Sequence, residues 1–164
     1  MIQTMKSFKR ISFEDCDPFS HLNNANFLTY FLNAREQQLR ENKVLNILEH
    51  TLKTGKSWVV TAHDIRYLRP AALGEKVEIW SRMLTCEASL NLVEFVMLDP
   101  ESRVLKSVMH SRFAYFSVTR KRPVAPEKQI RKLFEDISLF PGRKAADFDI
   151  DSRLERIRTE AAGG

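Results

Sequence analysis

The 164-residue chain holds only two cysteines and five glycines. Cys16 and Cys86 stand far apart, at neither metal-ligand nor framework spacing, so no metal site and no disulfide scaffold is expected. With glycine this sparse there is no phosphate-cradling loop, and no G-x-S-x-G elbow occurs; nucleotide cradling and a serine-elbow nucleophile are set aside. No apolar run reaches the ~20 residues that a membrane-spanning helix needs. The opening MIQTMKSFKRISF lacks both the apolar core and the small-residue cleavage site of a secretory signal, so a reducing, cytoplasmic location is expected. Internal repeats and low-complexity tracts are missing. The net charge of +5 comes without zinc-finger spacing, a helix-turn-helix signal or an RNP-type aromatic pattern, so no nucleic-acid partner is expected. It permits instead an anionic small ligand or an acidic carrier protein.

What is present suits one globular domain. With 43% hydrophobic and 29% charged residues, the chain can bury about two-thirds of its unfolded surface. Residues 23–41, NNANFLTYFLNAREQQLRE, read as a helix. Phe27, Phe31 and Ala34 fall at i, i+4 and i+7, beside a row of Leu28, Leu32, Arg35 and Leu39. Tyr30 lies on the far side, so the first two turns are apolar nearly all round and have to be wrapped. Strand-like runs rich in β-branched and aromatic residues follow at 57–69, 75–87, 90–98 and 103–119, separated by R-P-A-A-L-G, Ala88–Ser89 and D-P-E-S. With a first strand at 6–14, the order is strand, helix, then four antiparallel strands. One curved sheet around one buried helix is the economical solution: an α+β fold of about five strands. A short helix at 127–137 completes a domain spanning 1–140. The polar tail, 141–164, reads as helical over 151–160 but with little to bury, and thus open to partial disorder. Residues 45–58 read as either a lid or a connector.

The stretch FEDCDPFSHLNNANF, 13–27, concentrates Asp15, Asp17, His21, Asn23, Asn24 and Asn26 before the buried helix. Pro18 pushes Asp17 into extended backbone at the end of the first strand. The loop 18–23 then feeds a helix N-terminus, where unpaired N–H groups attract Asp, Asn and Ser. One of Ser20, Asn23 or Asn24 serves as the cap, which leaves the other polar residues unexplained. An EF-hand beginning at Asp15 fails, because Ser20 and Asn26 stand where Gly and Glu are needed. His21 has no second ligand at metal spacing.

Read from Asp15 to Arg35, D-x-D-P-x-x-H-x-N-N-A-x-F-x-x-Y-F-x-x-A-R resembles the signature of the hotdog-fold acyl-CoA thioesterases of the 4-hydroxybenzoyl-CoA thioesterase type. IRYLRPAALGEKVEI and RVLKSVMHSRFAYFSVTRKRPVAP resemble later segments of the same family, so the likeness runs over roughly residues 6 to 135. One departure is Ser20, where many relatives carry glycine before the histidine; serine tolerates positive φ poorly. The resemblance implies a hotdog fold and thioester hydrolysis without a cofactor. It maps the catalytic carboxylate onto Asp17, acting as nucleophile or as general base. The helix N-terminal amide of Asn24 or a near neighbour would polarise the thioester oxygen. His21 and Asn23 would line the loop, His21 orienting Asp17 or the water, and Phe27 would bear on pocket depth. By charge, Arg69, Arg120 and Lys121 are candidates for the coenzyme A phosphates. The substrate would be an acyl-CoA or acyl-carrier-protein thioester, and the protein a homodimer or homotetramer formed by sheet continuation. Two rivals keep the fold: a non-catalytic acyl-binding protein, and a dehydratase, for which the H-F-P-type loop is missing.

Overall fold

The computed structural model describes residues 2–163. Strand β1 (Met5–Arg10) leads into α1 (Asn24–Glu41), then α2 (Ile47–Thr54), β2 (Lys56–Tyr67), β3 (Lys76–Cys86), β4 (Leu90–Leu98) and β5 (Leu105–Ser117). A two-residue β6 (Arg122–Pro123), α3 (Lys128–Ile137) and α4 (Ile150–Ala162) follow. The sheet runs β1-β3-β4-β5-β2 with antiparallel pairing throughout. It curves around α1, the hotdog arrangement.

Alternation along the strands sends side chains to two faces. Val77, Ile79, Met83, Val93, Phe95, Met97 and Met109 pack inward against Phe27, Phe31, Ala34 and Leu39 of α1. Trp80, Val96, Leu98 and Val108 point outward, and α4 covers them with Ile150, Leu154, Ile157 and Ala161. The expectation that the tail has little to bury is therefore corrected: its apolar residues are spaced for one helix face and meet the outer sheet. Glu94, fully buried in the middle of β4, is the polar counterpart of that contact. Arg153 of α4 grips it with two parallel bonds, Nε to Oε2 at 2.9 Å and Nη2 to Oε1 at 2.8 Å. Arg82 Nε donates to Oε1 at 2.6 Å, and His110 Nε2 lies 3.0 Å from Oε2. Burial by itself would raise the Glu94 pKa, but the bonds from Arg153 and His110 and the charge of Arg82 outweigh it and hold the carboxyl well below its ordinary range.

The structure revises the sequence reading at the end of β1 and within residues 45–58. β1 ends at Arg10, and residues 13–15 form a 3-10 turn rather than strand. The Tyr30 hydroxyl holds that turn, accepting from Ser12 N–H at 3.2 Å and donating to Asp15 Oδ2 at 2.8 Å. Within residues 45–58 lies α2, with an Asn46 side chain capping Glu49 N–H at 3.1 Å and Gly55 closing it at φ 65°. Asn46 and Gly55 were legible cap signals. On β2, Asp64 pairs with Arg66, which also reaches Asp151 of α4, Nε to Oδ1 at 2.8 Å.

Arg153→Leu removes the bidentate partner of a buried carboxylate, and should lower the unfolding free energy by about 3 to 5 kcal/mol. Chemical denaturation of the variant against the parent measures it.

Candidate active site

The loop before α1 is built by short-range bonds. Asp17 Oδ1 accepts from Phe19 N–H at 2.9 Å and from His21 N–H at 3.1 Å, while the Ser20 N–H closes the turn onto the Asp17 carbonyl at 3.0 Å. These bonds fold Pro18 and Phe19 outward and fix the carboxylate orientation with one oxygen. Oδ2 takes no hydrogen bond from any described residue. The segment after β2 clamps the loop: Leu22 N–H donates to the Ala71 carbonyl at 2.8 Å and Leu73 N–H to the Ser20 carbonyl at 2.8 Å. Ser20 holds φ 60°, the left-handed geometry for which glycine is the cheaper residue.

The polar cluster read from the sequence separates into distinct duties. Asn23 is the helix cap, its Oδ1 accepting from Ala25 N–H at 3.0 Å. Asp15 and Asn26 are staples. The Asp15 carbonyl accepts from Asn23 N–H at 2.9 Å and from Asn26 Nδ2 at 2.9 Å. Asn24 opens α1, and its own N–H has no partner among the described residues.

Asp17, His21, Asn24, Phe27 and Arg69 line one surface pocket of about 270 Å³, together with Leu22, Tyr67, Leu68 and Pro70. Five of the eight expected site residues thus meet. Asn23 stands beside the pocket as the cap. Arg120 and Lys121 do not meet it within the chain: they follow Ser117 at one end of β5, while Arg69 N–H bonds to the Lys106 carbonyl at 3.1 Å, near the other end. Tyr67 is the member that sequence reasoning missed. Its hydroxyl donates to the Asn24 carbonyl at 2.9 Å and its ring meets Phe27 edge-on at 5.3 Å. Burial pushes the Tyr67 phenol up, so it stays a donor at neutral pH. A tyrosine at a strand end carries no local mark of a partner 43 residues away. Burial and the charges of Asp17 and Asp15 push the Cys16 thiol up, away from the thiolate a nucleophile needs. A second depression of about 340 Å³ shares Leu68 and Arg69 and adds Arg103 and Arg158, making that flank basic.

A family model described as thioesterase-like superfamily matches residues 11–134. No curated protein matches the chain. Among solved structures, the hypothetical protein SAV2348 from Staphylococcus aureus, in complex with CoA, superposes with a TM-score of 0.76 at 14% identity, over 88% of this chain and 90% of that one. The 1,4-dihydroxy-2-naphthoyl-CoA thioesterase Slr0204 from Synechocystis gives 0.73 at 14%, over 81% and 96%. The probable thioesterase YbaW from Escherichia coli gives 0.71 at 20%, over 81% and 98%. At these identities the likeness establishes the fold.

Relieving the left-handed serine should stabilise the loop: Ser20→Gly is expected to raise the unfolding free energy by about 0.5 to 1 kcal/mol, the steric gain less the entropy that glycine costs. Thermal denaturation of the variant against the parent reads it directly.

Proposed function

The chain belongs to the thioesterase-like superfamily, and from that premise we propose that it hydrolyses acyl-CoA or acyl-carrier-protein thioesters at the Asp17 pocket. One observation carries this reading: a carboxylate fixed through one oxygen shares a pocket with Asn24, the first residue of α1, whose N–H has no partner among the described residues. A carboxylate held by two backbone amides is already oriented and loses little freedom when it reacts. In this reading the Asn24 N–H receives the negative charge that develops on the thioester oxygen, where an oriented amide counts most.

Two routes fit. In the first, Asp17 Oδ2 attacks the acyl carbon, the C–S bond breaks, the thiolate leaves, and water then cleaves the mixed anhydride to restore Asp17. In the second, Asp17 takes the proton of a water that attacks the same carbon, and the proton passes to the departing thiol. Both end in a carboxylic acid and a free thiol. His21 orients Asp17 or the water, and Phe27 and Tyr67 form the apolar wall.

Arg69, with Arg158 of the adjoining basic depression, serves the coenzyme A phosphates. Arg120 and Lys121 join them through a second subunit. β2 is an edge strand along Lys56–Tyr67, with Val59 and Val60 exposed on it, and such an edge pairs readily with a copy of itself. In an antiparallel β2–β2 pair, the Lys56 end of one subunit, with its 120–121 turn, lies beside the Tyr67 end of the other. The basic residues at 120–121 then face the partner's pocket.

Asp17→Asn should cut thiol release from acyl-CoA by roughly a thousandfold while leaving fold and assembly unchanged; near-normal turnover in a folded variant would sink the reading. Acyl-CoA binding without thiol release in the parent would point to a non-catalytic acyl binder. Arg69→Ala should raise KM for acyl-CoA by roughly fivefold with kcat little altered, the mark of a lost ground-state contact; steady-state kinetics separates the two.

A further inference from the structure

Arg35 lies on the same i, i+4 row of α1 as Phe27, two turns further on, and is more than nine-tenths buried. A guanidinium carries five donors and a fixed charge, so burying one normally requires a carboxylate. None is there among the described residues. Arg35 Nη1 reaches only Ser81 Oγ at 3.2 Å and the Met5 sulfur at 4.0 Å. Burial lowers its pKa to about 10, so it remains a cation at neutral pH.

Arg35 lines a cavity of about 80 Å³ together with Leu39, Ile47, Trp58, Phe113 and Phe134. A single water needs roughly 15 Å³ of such space, so the cavity has room for several waters or a short apolar group. The other polar groups of the wall satisfy each other once the Asn91 amide is turned over: in that orientation its oxygen accepts from Trp58 Nε1 at 3.0 Å and its nitrogen donates to the Leu90 carbonyl at 3.3 Å. Arg35 alone brings an uncompensated charge to an otherwise apolar space. Phe31, fully buried against Phe95 at 5.5 Å between ring centres, stands on the helix row between this cavity and the Asp17 pocket.

We propose that this cavity is a binding site for an apolar carboxylate, whose carboxylate pairs with the Arg35 fork while its hydrocarbon body lies against Trp58, Phe113 and Phe134. A single negative charge matches the single cation, and the planar carboxylate matches the guanidinium fork. A phosphate would bring a second charge for which the wall has no cation. The ligand class is a carboxylic acid with a short aliphatic or aromatic body. It is presented either as a free acid, the product class of thioester hydrolysis, or as the far carboxylate of a dicarboxylic acyl thioester.

Calorimetric titration with hexanoate, against hexanol as the neutral control, tests the site. Hexanoate is expected to bind and hexanol to bind much more weakly. In Arg35→Met the hexanoate affinity should fall by about tenfold or more. Arg35→Lys, which keeps the charge but loses the fork, should fall between, and it carries the test if the methionine variant does not fold. Asp17→Asn should bind hexanoate as the parent does, so loss of hydrolysis and loss of this site read separately. Competition by the CoA monothioester of adipic acid but not by hexanoyl-CoA would assign the far carboxylate of a substrate. Competition by neither would assign the free acid. Equal binding of hexanoate and hexanol, unchanged affinity in both Arg35 variants, or no binding at all would overturn the proposal.

Discussion

Phe27 and Phe31, with 2% and 0% of their surface exposed, place the first turns of α1 at the centre of the molecule, and enclosing them dictates the rest of the design. A flat sheet covers one side of a helix; long antiparallel strands that curve cover more of it. β3 and β4 are buried along almost their whole length because α1 fills the inner face and α4 the outer. The enclosure also fixes where the helix begins, and therefore where its unpaired amides emerge. Those amides surface next to the loop that carries Asp17.

Around that helix end, six polar residues that look alike in sequence divide into tethers and groups left without partners among the described residues. Tyr30 and Asp15 hold the turn after β1, Asn26 and Asn23 bind the loop to the helix, and Asp17 braces its own turn with one oxygen. Each of those bonds removes freedom from the remaining groups, Asp17 Oδ2 and the Asn24 N–H. The clamp from residues 71–73 and the Tyr67 bond to the Asn24 carbonyl extend the bracing to the strand that carries the pocket's far wall. Preorganisation here is a matter of backbone hydrogen bonds rather than side-chain bulk.

Two buried arginines show opposite electrostatic solutions. Arg153 is matched atom for atom by Glu94, and the pair joins a terminal helix to the centre of the sheet. Arg35, on the other face of the same sheet, has a hydroxyl and a thioether where a carboxylate would be expected. The first arrangement secures the fold. The second leaves an attraction for a group that none of the described residues provides.

The sequence by itself determined the order of elements, the enclosed helix and the carboxylate before it, because these rest on periodicity, on proline and cap chemistry, and on residues within one turn or strand of each other. Phe27, Phe31 and Ala34 already marked the inward face of α1, and the motif from Asp15 to Arg35 carried the resemblance to the family. Only the tertiary structure decided which polar residues became tethers, that Tyr67 joins the pocket, that α4 buries Glu94, and that Arg35 lines a cavity. Those outcomes depend on strand register and helix docking, which bring together residues as far apart as Tyr67 and Asn24, 43 positions, and Arg153 and Glu94, 59 positions. Spacing along a chain holds no record of such distances. An arginine row on a helix reads the same whether a carboxylate or an empty space lies across from it, and the sheet that settles the matter forms only when distant segments pair.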